Sequence, residues 1–308
     1  MLLNVSHLNQ SEPQQQDKTL RTWSVVFIIL TAIFGHTLVF LAMYRERHLR
    51  TIPNLIILNL SVADFLFSVI VPTTHTIRLF RHEASLTGAP CYITGVSSML
   101  FCMASINTLT FISIERYMAT NYPIRHRLRF NNRFIKITLA GIWCWSVLLS
   151  AFPFLTSKYI YIKEFFHCSP DWANDPETTL AFVIIGIVLP QIILVYCNVK
   201  VVQAIRKSRE VNAGSISTNS RNSVNLRMRR EREISIITIT VVVTFCVCWA
   251  PYCTVMVCLA RGWHNLPENF MLLALLLSIL NSCCNPIIYG VLNKNFRKAF
   301  KNILWCKQ

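Results

Sequence analysis

The chain has 308 residues, of which 53% are hydrophobic and only 14% are charged, and its mean hydropathy is +0.44. A soluble domain carries about a quarter charged residues, so this composition excludes an ordinary soluble enzyme or binding module. The formal charge of +16 at pH 7 could suggest nucleic-acid binding, but the basic residues lie between hydrophobic runs long enough to cross a bilayer. The sequence therefore predicts a polytopic membrane protein whose partner is the lipid bilayer and not a nucleic acid.

Residues 1–22 form a polar N-terminal segment. This segment contains two N-x-[ST] sequons, at Asn4 and Asn9, and lacks the basic start, apolar core and cleavage site of a signal peptide. We expect an extracellular tail that is glycosylated at both asparagines.

Seven apolar segments follow, at about 23–44, 53–77, 91–120, 134–155, 178–204, 232–260 and 268–290. Only helices suit segments of this length, because in lipid each backbone N–H and C=O must find its partner within the segment. The predicted fold is all-α, a seven-transmembrane helix bundle over residues 23–290, and we number its spans one to seven in chain order.

The basic residues are distributed unevenly between the two sets of loops. Of the 30 Lys and Arg, 23 lie in or next to the 45–51, 115–136 and 200–232 segments and the C-terminal tail. The positive-inside rule then places the N-terminus outside and the C-terminus in the cytoplasm of a multi-pass plasma-membrane protein.

Two cytoplasmic segments differ from the spans in composition and residue pattern. Residues 207–226 are rich in Ser, Asn and Gly and are expected to form a flexible part of the third cytoplasmic loop. Residues 291–308 place Phe296 and Phe300 four apart among basic residues, which predicts a short amphipathic helix on the inner membrane surface, followed by a short tail. Cys306 in that tail is a candidate for palmitoylation, with an unmodified thiol as the alternative.

Most of the twelve cysteines lie within spans, where a thiol behaves as a small apolar side chain. Cys91 and Cys168 fall in the oxidising compartment, at the outer end of span three and in the second outer loop. We predict a Cys91–Cys168 disulfide, with Cys258 as the possible competitor.

Asp64 stands in the middle of span two, where an ionisable group costs about 2.5 kcal/mol or more and needs a proton or a cation. Oxygen-bearing side chains on spans three and seven could join it: Ser105, Asn281, Ser282 and Asn285. Hard oxygen ligands around one carboxylate suit a sodium ion, and a hydrogen-bonded polar core is the alternative.

Span three ends on Glu115, Arg116 and Tyr117, and Glu231 lies at the start of span six. An arginine at the membrane edge needs acceptors, which Glu115 beside it and Glu231 across the bundle could supply. Arg116 and Glu231 would then form a latch between two helices. Snorkelling of ordinary interface charges is the alternative. Prolines at 190, 251 and 286 predict kinks in spans five, six and seven.

Together these residues resemble the rhodopsin-like, class A family of G-protein-coupled receptors over about residues 23–305. The order and spacing of five motifs agree: Leu60 to Asp64, Glu115-Arg116-Tyr117, Trp143, Cys248 to Pro251, and Asn285 to Tyr289. The span-one pair Gly35-His36 departs from the family's Gly-Asn, so the family's link to span two is either lost or remade by the imidazole. Asn198 stands where the family usually has Tyr, so the active-state partner of Tyr289 is either weakened or replaced.

The resemblance implies a role for each motif. Asp64, Ser105, Asn281, Ser282 and Asn285 would form an allosteric sodium pocket, and Arg116 with Glu231 the latch of the inactive state. Trp249 would be a toggle beneath the ligand, Pro190, Ile106 and Phe245 a core that repacks, and Pro251, Pro286 and Tyr289 further switches. Activation would move the inner end of span six outwards and admit a heterotrimeric G protein, with arrestin and a receptor kinase as later partners. No catalysis is implied.

The ligand class is narrowed by two aligned positions. Ser98 stands where amine receptors have their Asp, and Ile279 where opsins have the Lys of the retinal Schiff base, so neither an amine nor covalent retinal is expected. The predicted pocket is mostly apolar and soft, which favours a neutral small molecule or a small peptide. Its residues are Ser98, Met99, Cys102, Phe182, Gly186, Trp249, Tyr252, Cys253, Met256, Leu275 and Ile279.

The main alternative function is a secondary transporter or channel that uses the buried Asp64. Such a protein should show more ionisable groups at mid-depth, paired broken helices or an inverted repeat, and the sequence shows none of these. No nucleophile-and-base motif suggests an enzyme.

Overall fold

The computed structural model describes residues 11–80, 88–153, 158–162, 167–172, 174, 176–213, 221–263 and 265–305. Within these ranges the side chains of 11–22, 72–80, 167, 178, 208–213 and 221–231 lie outside the description. The predicted sites at Asn4, Asn9 and Cys306, and the side chain of Glu231, therefore lie outside the described residues.

Among the described residues there are seven long apolar helices, as the sequence predicts, each long enough to cross a membrane. The helices that carry spans one to four are Ser11–Arg45, Ile52–Phe80, Ala89–Asn121 and Asn132–Ala151. Span five begins as Pro176–Phe182, passes through a π-helical turn at Val183–Val188 and continues as Leu189–Ala213. Spans six and seven lie in Arg221–Ala260 and Glu268–Leu292.

Shorter elements join the spans. A 3-10 turn occupies Arg47–Leu49, and a loop helix, Pro123–Arg129, follows span three. Between spans four and five, β1 (Tyr159–Ile162) pairs with β2 (His167–Pro170) as an antiparallel hairpin in which Tyr161 faces Cys168. The predicted amphipathic helix is observed as Lys294–Leu304, and its first phenylalanine ring lies 5.8 Å from the ring of Tyr289 at the end of span seven.

Span three lies at the centre of the bundle and packs against spans two, four and five. Its helix is the most buried of the seven, whereas the outer faces of spans one and five expose apolar side chains such as Phe27 and Ile192. Apolar side chains on the outside are what a bilayer solvates without cost, so this pattern is that of a membrane bundle.

The segment 207–226, which was predicted to be a flexible part of the third cytoplasmic loop, is helical at both of its ends. The helix of span five continues to Ala213, and that of span six already begins at Arg221. Lys and Arg are strong helix formers, and they extend each span beyond its apolar part because the backbone hydrogen bonds of the span nucleate the added turns.

Candidate functional site

The structure confirms the predicted disulfide between Cys91 and Cys168. Cys91 and Cys168 are joined by a bond of 1.98 Å, with their Cα atoms 5.3 Å apart. Cys258, the alternative partner, is a free thiol. The disulfide fixes strand β2 against the start of span three.

The hairpin is buried in the mouth of the bundle. Ser169 has no exposed surface and accepts a hydrogen bond from the indole of Trp172 at 2.8 Å. The Tyr159 hydroxyl donates to the carbonyl of Ser150 at 2.9 Å, and burial raises the pKa of this tyrosine above its ordinary value. Its ring lies directly over Gly95, where any side chain would occupy the same space.

The predicted ligand-pocket residues lie beneath this hairpin. Most of them are buried, and the half-buried ones are Cys102, Trp249 and Cys253. Tyr252 shares a hydrogen bond with Ser169 of β2, so the hairpin and span six are joined directly.

Aromatic contacts continue this packing below the hairpin. The ring of Phe182 lies 5.6 Å from that of Trp172, and the same distance separates the rings of Trp249 and Tyr252. Trp249 and Tyr252 therefore pack against each other, and Phe182 packs against Trp172, which follows β2.

A cavity of about 260 Å³ lies one turn deeper, between spans three, five and six. Three of its lining residues belong to the predicted ligand pocket, namely Cys102, Trp249 and Cys253, and two belong to the predicted repacking core, namely Ile106 and Phe245. The cavity therefore connects the two predicted sites. The other predicted pocket residues do not line it.

Five lining residues were not predicted: Met103, Ile187, Gln191, Cys246 and Ala250. Helical spacing carried a signal for them, because positions 187 and 191 share one face of span five and positions 246, 250 and 253 share one face of span six. The spacing could not show that the two faces meet across a gap.

Asp64 is the buried acidic centre of the bundle. Its Oδ1 accepts a hydrogen bond from Ser105 at 2.7 Å, and its Oδ2 accepts one from the amide of Asn285 at 2.5 Å. The structure thus brings together three of the five predicted sodium ligands, one from each of spans two, three and seven. Asn281 and Ser282 are also buried, but neither side chain is hydrogen-bonded to this carboxylate.

The departure at His36 has a structural consequence. The imidazole is fully buried, and its Nε2 lies 2.8 Å from the carbonyl oxygen of Ser282. The imidazole therefore binds the backbone of span seven, whereas the sequence left open whether it restores a link to span two. Gly35 beside it is required by close packing, since a Cβ there would lie 2.8 Å from Pro286.

The opposite end of span three holds an arginine in a closed ion pair. Arg116 donates from Nε and from a terminal nitrogen to the two carboxylate oxygens of Glu115, each at 2.5 Å. His126 of the loop helix binds the same carboxylate at 2.7 Å. Both members of the pair are nearly fully buried, so the motif fastens the loop helix to the end of span three. Tyr117 lies outside this cluster, with its ring 5.8 Å from that of Tyr122.

The second departure, Asn198, is buried and donates to the hydroxyl of Ser113 at 2.9 Å. It therefore joins span five to span three. Tyr289 is also buried, and within the part of the chain that the structure describes its hydroxyl has no hydrogen-bond partner. The amide of Asn198 is therefore not hydrogen-bonded to the Tyr289 hydroxyl.

The kink residues stand where the sequence places them. Pro251 and Pro286 lie inside continuous helices, and Pro190 follows the π-helical turn of span five. Ile106 is buried, and the ring of Phe245 lies 5.9 Å from that of Trp249. Ile106, Phe245 and Trp249 therefore lie together at the wall of the cavity.

Comparison with known proteins identifies the arrangement. The family described as "7 transmembrane receptor (rhodopsin family)" matches residues 35–289. The chain is 31% identical to galanin receptor 2b of Danio rerio over 98% of this chain and 80% of that receptor. It is 27% identical to melatonin receptor type 1C of Xenopus laevis over 91% of this chain, and it spans 66% of that receptor's length.

A solved structure gives the same result. Squid rhodopsin superposes with a TM-score of 0.81 and 25% identity, over 94% of this chain and 88% of the rhodopsin chain. The relatives are receptors and not enzymes, which agrees with the absence of catalytic motifs in the sequence. The chain therefore belongs to the rhodopsin family of seven-transmembrane receptors.

Proposed function

We propose that this receptor converts the binding of an extracellular, non-amine ligand into activation of a heterotrimeric G protein. The N-terminus and the hairpin face the outside of the plasma membrane, and the Arg116 end faces the cytoplasm. The distribution of basic residues supports this orientation, because most of the Lys and Arg flank the Arg116 end.

The observation that carries the proposal is the buried Glu115–Arg116 pair. A guanidinium with almost no exposed surface is stable only while a carboxylate satisfies it, so its release requires a change in packing around the end of span three. Such a group has two stable arrangements, paired within the bundle or pointing into a cytoplasmic opening. A ligand that prefers one packing shifts the population between them.

Span six is the moving part in this proposal. In this proposal Glu231, at its inner end, would pair with Arg116 at rest, and Pro251 removes one backbone hydrogen bond halfway along the helix. Outward movement about this kink repacks Phe245 against Ile106 and opens a basic cavity for a Gα subunit. Arrestin and a receptor kinase would recognise the same opened end.

Asp64 and its two hydrogen-bond donors form the proposed sodium pocket. A carboxylate at this depth stays charged only with a cation, and the oxygen atoms of Ser105, Asn281, Ser282 and Asn285 are the available hard ligands. Sodium would stabilise the resting packing because its ligands come from several spans.

The ligand is proposed to be a neutral small molecule or a small peptide. Ser98 offers no counter-charge for an amine, and Ile279 offers no amine for retinal. Relatives named for melatonin and for galanin support these two classes equally.

The test is a panel of indoles, lipids, short peptides and amines applied to cells that express the receptor fused to different Gα subunits. Nucleotide exchange that depends on one ligand and is lost in Arg116→Ala, at equal surface expression, is the expected result. Ion flux or solute uptake without exchange on any Gα subunit would instead support the transporter function.

A further inference from the structure

The cavity between spans five and six continues to the lipid-facing surface of the bundle. Ala250 is exposed, and Gln191 and Cys246 are half-buried, although all three also line the cavity. The neighbouring Val247 is 61% exposed. Spans five and six pack little against each other, whereas span six packs along span seven. The gap between spans five and six is therefore an opening towards the bilayer.

The route from the hairpin end is closed by side chains. Ser169 is hydrogen-bonded to Tyr252, and the Trp172 ring lies on Phe182. Each of these four residues is at most 5% exposed. A molecule would have to displace the hairpin to reach the cavity from that side, but it could enter from the lipid phase through the gap beside Ala250.

The side chains that line the cavity are uncharged and mostly apolar. None of the ten lining residues is acidic or basic, and four carry sulfur. Gln191 supplies the one side-chain amide. Its Oε1 accepts a hydrogen bond from the thiol of Cys246 at 3.2 Å, and within the described residues no protein acceptor binds its amide nitrogen. The indole N–H of the lining residue Trp249 is also buried, and within the described residues it has no hydrogen-bond partner. An apolar surface with two free N–H donors fits an apolar molecule that ends in a hydrogen-bond acceptor.

We propose that this cavity is a binding site for a membrane-dissolved apolar chain that ends in an oxygen acceptor, and that the molecule enters between spans five and six. The volume of about 260 Å³ is below the roughly 300–1,000 Å³ of sites for drug-sized ligands, so the occupant is slender. Its oxygen accepts from Gln191, and its chain lies against Phe245 and Trp249. This site shares Cys102, Trp249 and Cys253 with the predicted pocket of the extracellular ligand, but its occupant arrives from the membrane and not from the hairpin end.

The experiment uses octan-1-ol with a diazirine on its chain as the photoreactive probe and the full receptor in lipid nanodiscs. After irradiation, peptide mass spectrometry locates the labelled residues. We expect saturable labelling at the lining residues around Gln191 and Cys246, reduced by an excess of octan-1-ol. Labelling that rises linearly with probe and is spread over the lipid-facing side chains of all spans would overturn the proposal.

Two variants sharpen the test. Ala250→Trp fills the opening and should lower the labelling of the cavity, whereas Val243→Trp should leave it unchanged. Val243 is 55% exposed and lies two turns away on the same face of span six, so it is a matched control for added bulk. Equal loss in both variants, or no loss in Ala250→Trp, counts against entry at this point.

The proposed hydrogen bond from Gln191 to the oxygen of the bound molecule is tested with Gln191→Leu and with a second probe that lacks the hydroxyl group. Loss of one hydrogen bond should lower labelling by the alcohol about fivefold and leave labelling by the alkane unchanged. Equal labelling of the wild-type and Gln191→Leu receptors by the alcohol would remove Gln191 from the site. This measurement does not use a G protein, so its failure would leave the proposed receptor function standing.

Discussion

The Nε2 atom of His36 donates a hydrogen bond of 2.8 Å to the carbonyl oxygen of Ser282. A carbonyl can only accept, so this nitrogen carries the proton. Pro286, four residues further along span seven, has no N–H to offer this carbonyl. The imidazole therefore satisfies the backbone group that the proline leaves unpaired, and span one is attached to span seven at the kink.

Replacing His36 tests this attachment. His36→Ala leaves a buried carbonyl without a donor, which costs about 1–3 kcal/mol. For a chain of this size such a loss should lower the apparent Tm of the purified receptor by several degrees. His36→Asn can still donate from its amide and should recover most of the loss. If the alanine and asparagine variants melt together, the hydrogen bond does not stabilise the kink.

The sequence predicted the elements of this region but not their connection. Seven spans, the buried Asp64 and the prolines follow from apolar run length and residue type, which are local properties. The partner of His36 depends on how the helix of span one is rotated against that of span seven, and periodicity alone does not specify that angle. The same limit explains why Gln191 and Cys246 were missed. Each is an unremarkable residue in its own span, and they define a cavity only because two spans diverge.

Sodium sensitivity is the second prediction. Asp64→Asn removes the charge that would hold the ion, so the apparent Tm of the variant should no longer rise with sodium concentration. The measurement is a sodium titration at constant ionic strength, with N-methylglucamine as the replacement cation. No ligand is required, so the result does not depend on knowing what the receptor binds.

Ser68→Ala is the matched control for Asp64→Asn. Ser68 is buried one turn from Asp64 and donates to its backbone carbonyl at 2.7 Å, not to its carboxylate. This variant should lose some stability but keep the sodium response. A sodium response that survives in Asp64→Asn would show that the ion, if it binds, binds elsewhere.

Glu231 and Glu233 provide a matched pair for the latch. Glu231→Ala should raise basal nucleotide exchange severalfold, because Arg116 then loses its proposed partner on span six. Glu233 pairs with Lys294 at 2.8 Å, but both side chains are exposed, 46% and 69%, so this surface pair contributes little. Glu233→Ala should therefore leave the basal rate unchanged. The measurement is exchange on a fused Gα subunit at equal surface expression, and equal rates in the two variants would contradict the latch.

Loss of the disulfide should destabilise the hairpin end specifically. Cys91 and Cys168 are 77 residues apart in sequence, and closing a loop of this length stabilises a fold by about 4 kcal/mol in the chain-entropy description. Cys168→Ser should therefore lower surface expression and the apparent Tm. Cys258→Ser removes a cysteine that is already free and is the control. Normal expression and melting of Cys168→Ser would show that burial alone holds the hairpin.

Burial of the hairpin has its own test at Gly95 on span three. A Cβ at this position would collide with the ring of Tyr159 and lie 3.1 Å from the carbonyl of Cys168. Gly95→Ala should therefore lift β1 and β2 from the bundle, although alanine is the better helix former by about 1 kcal/mol. Gly141→Ala on span four meets nothing within 4 Å and should be neutral or stabilising.

Hydrogen exchange of the β1–β2 amides, compared between Gly95→Ala and Gly141→Ala, measures the effect. Faster exchange in Gly95→Ala alone is expected, because the ring of Tyr159 can move only by carrying its strand with it. Unchanged protection in both variants would mean that the tyrosine turns aside and the hairpin is held by the disulfide and Ser169.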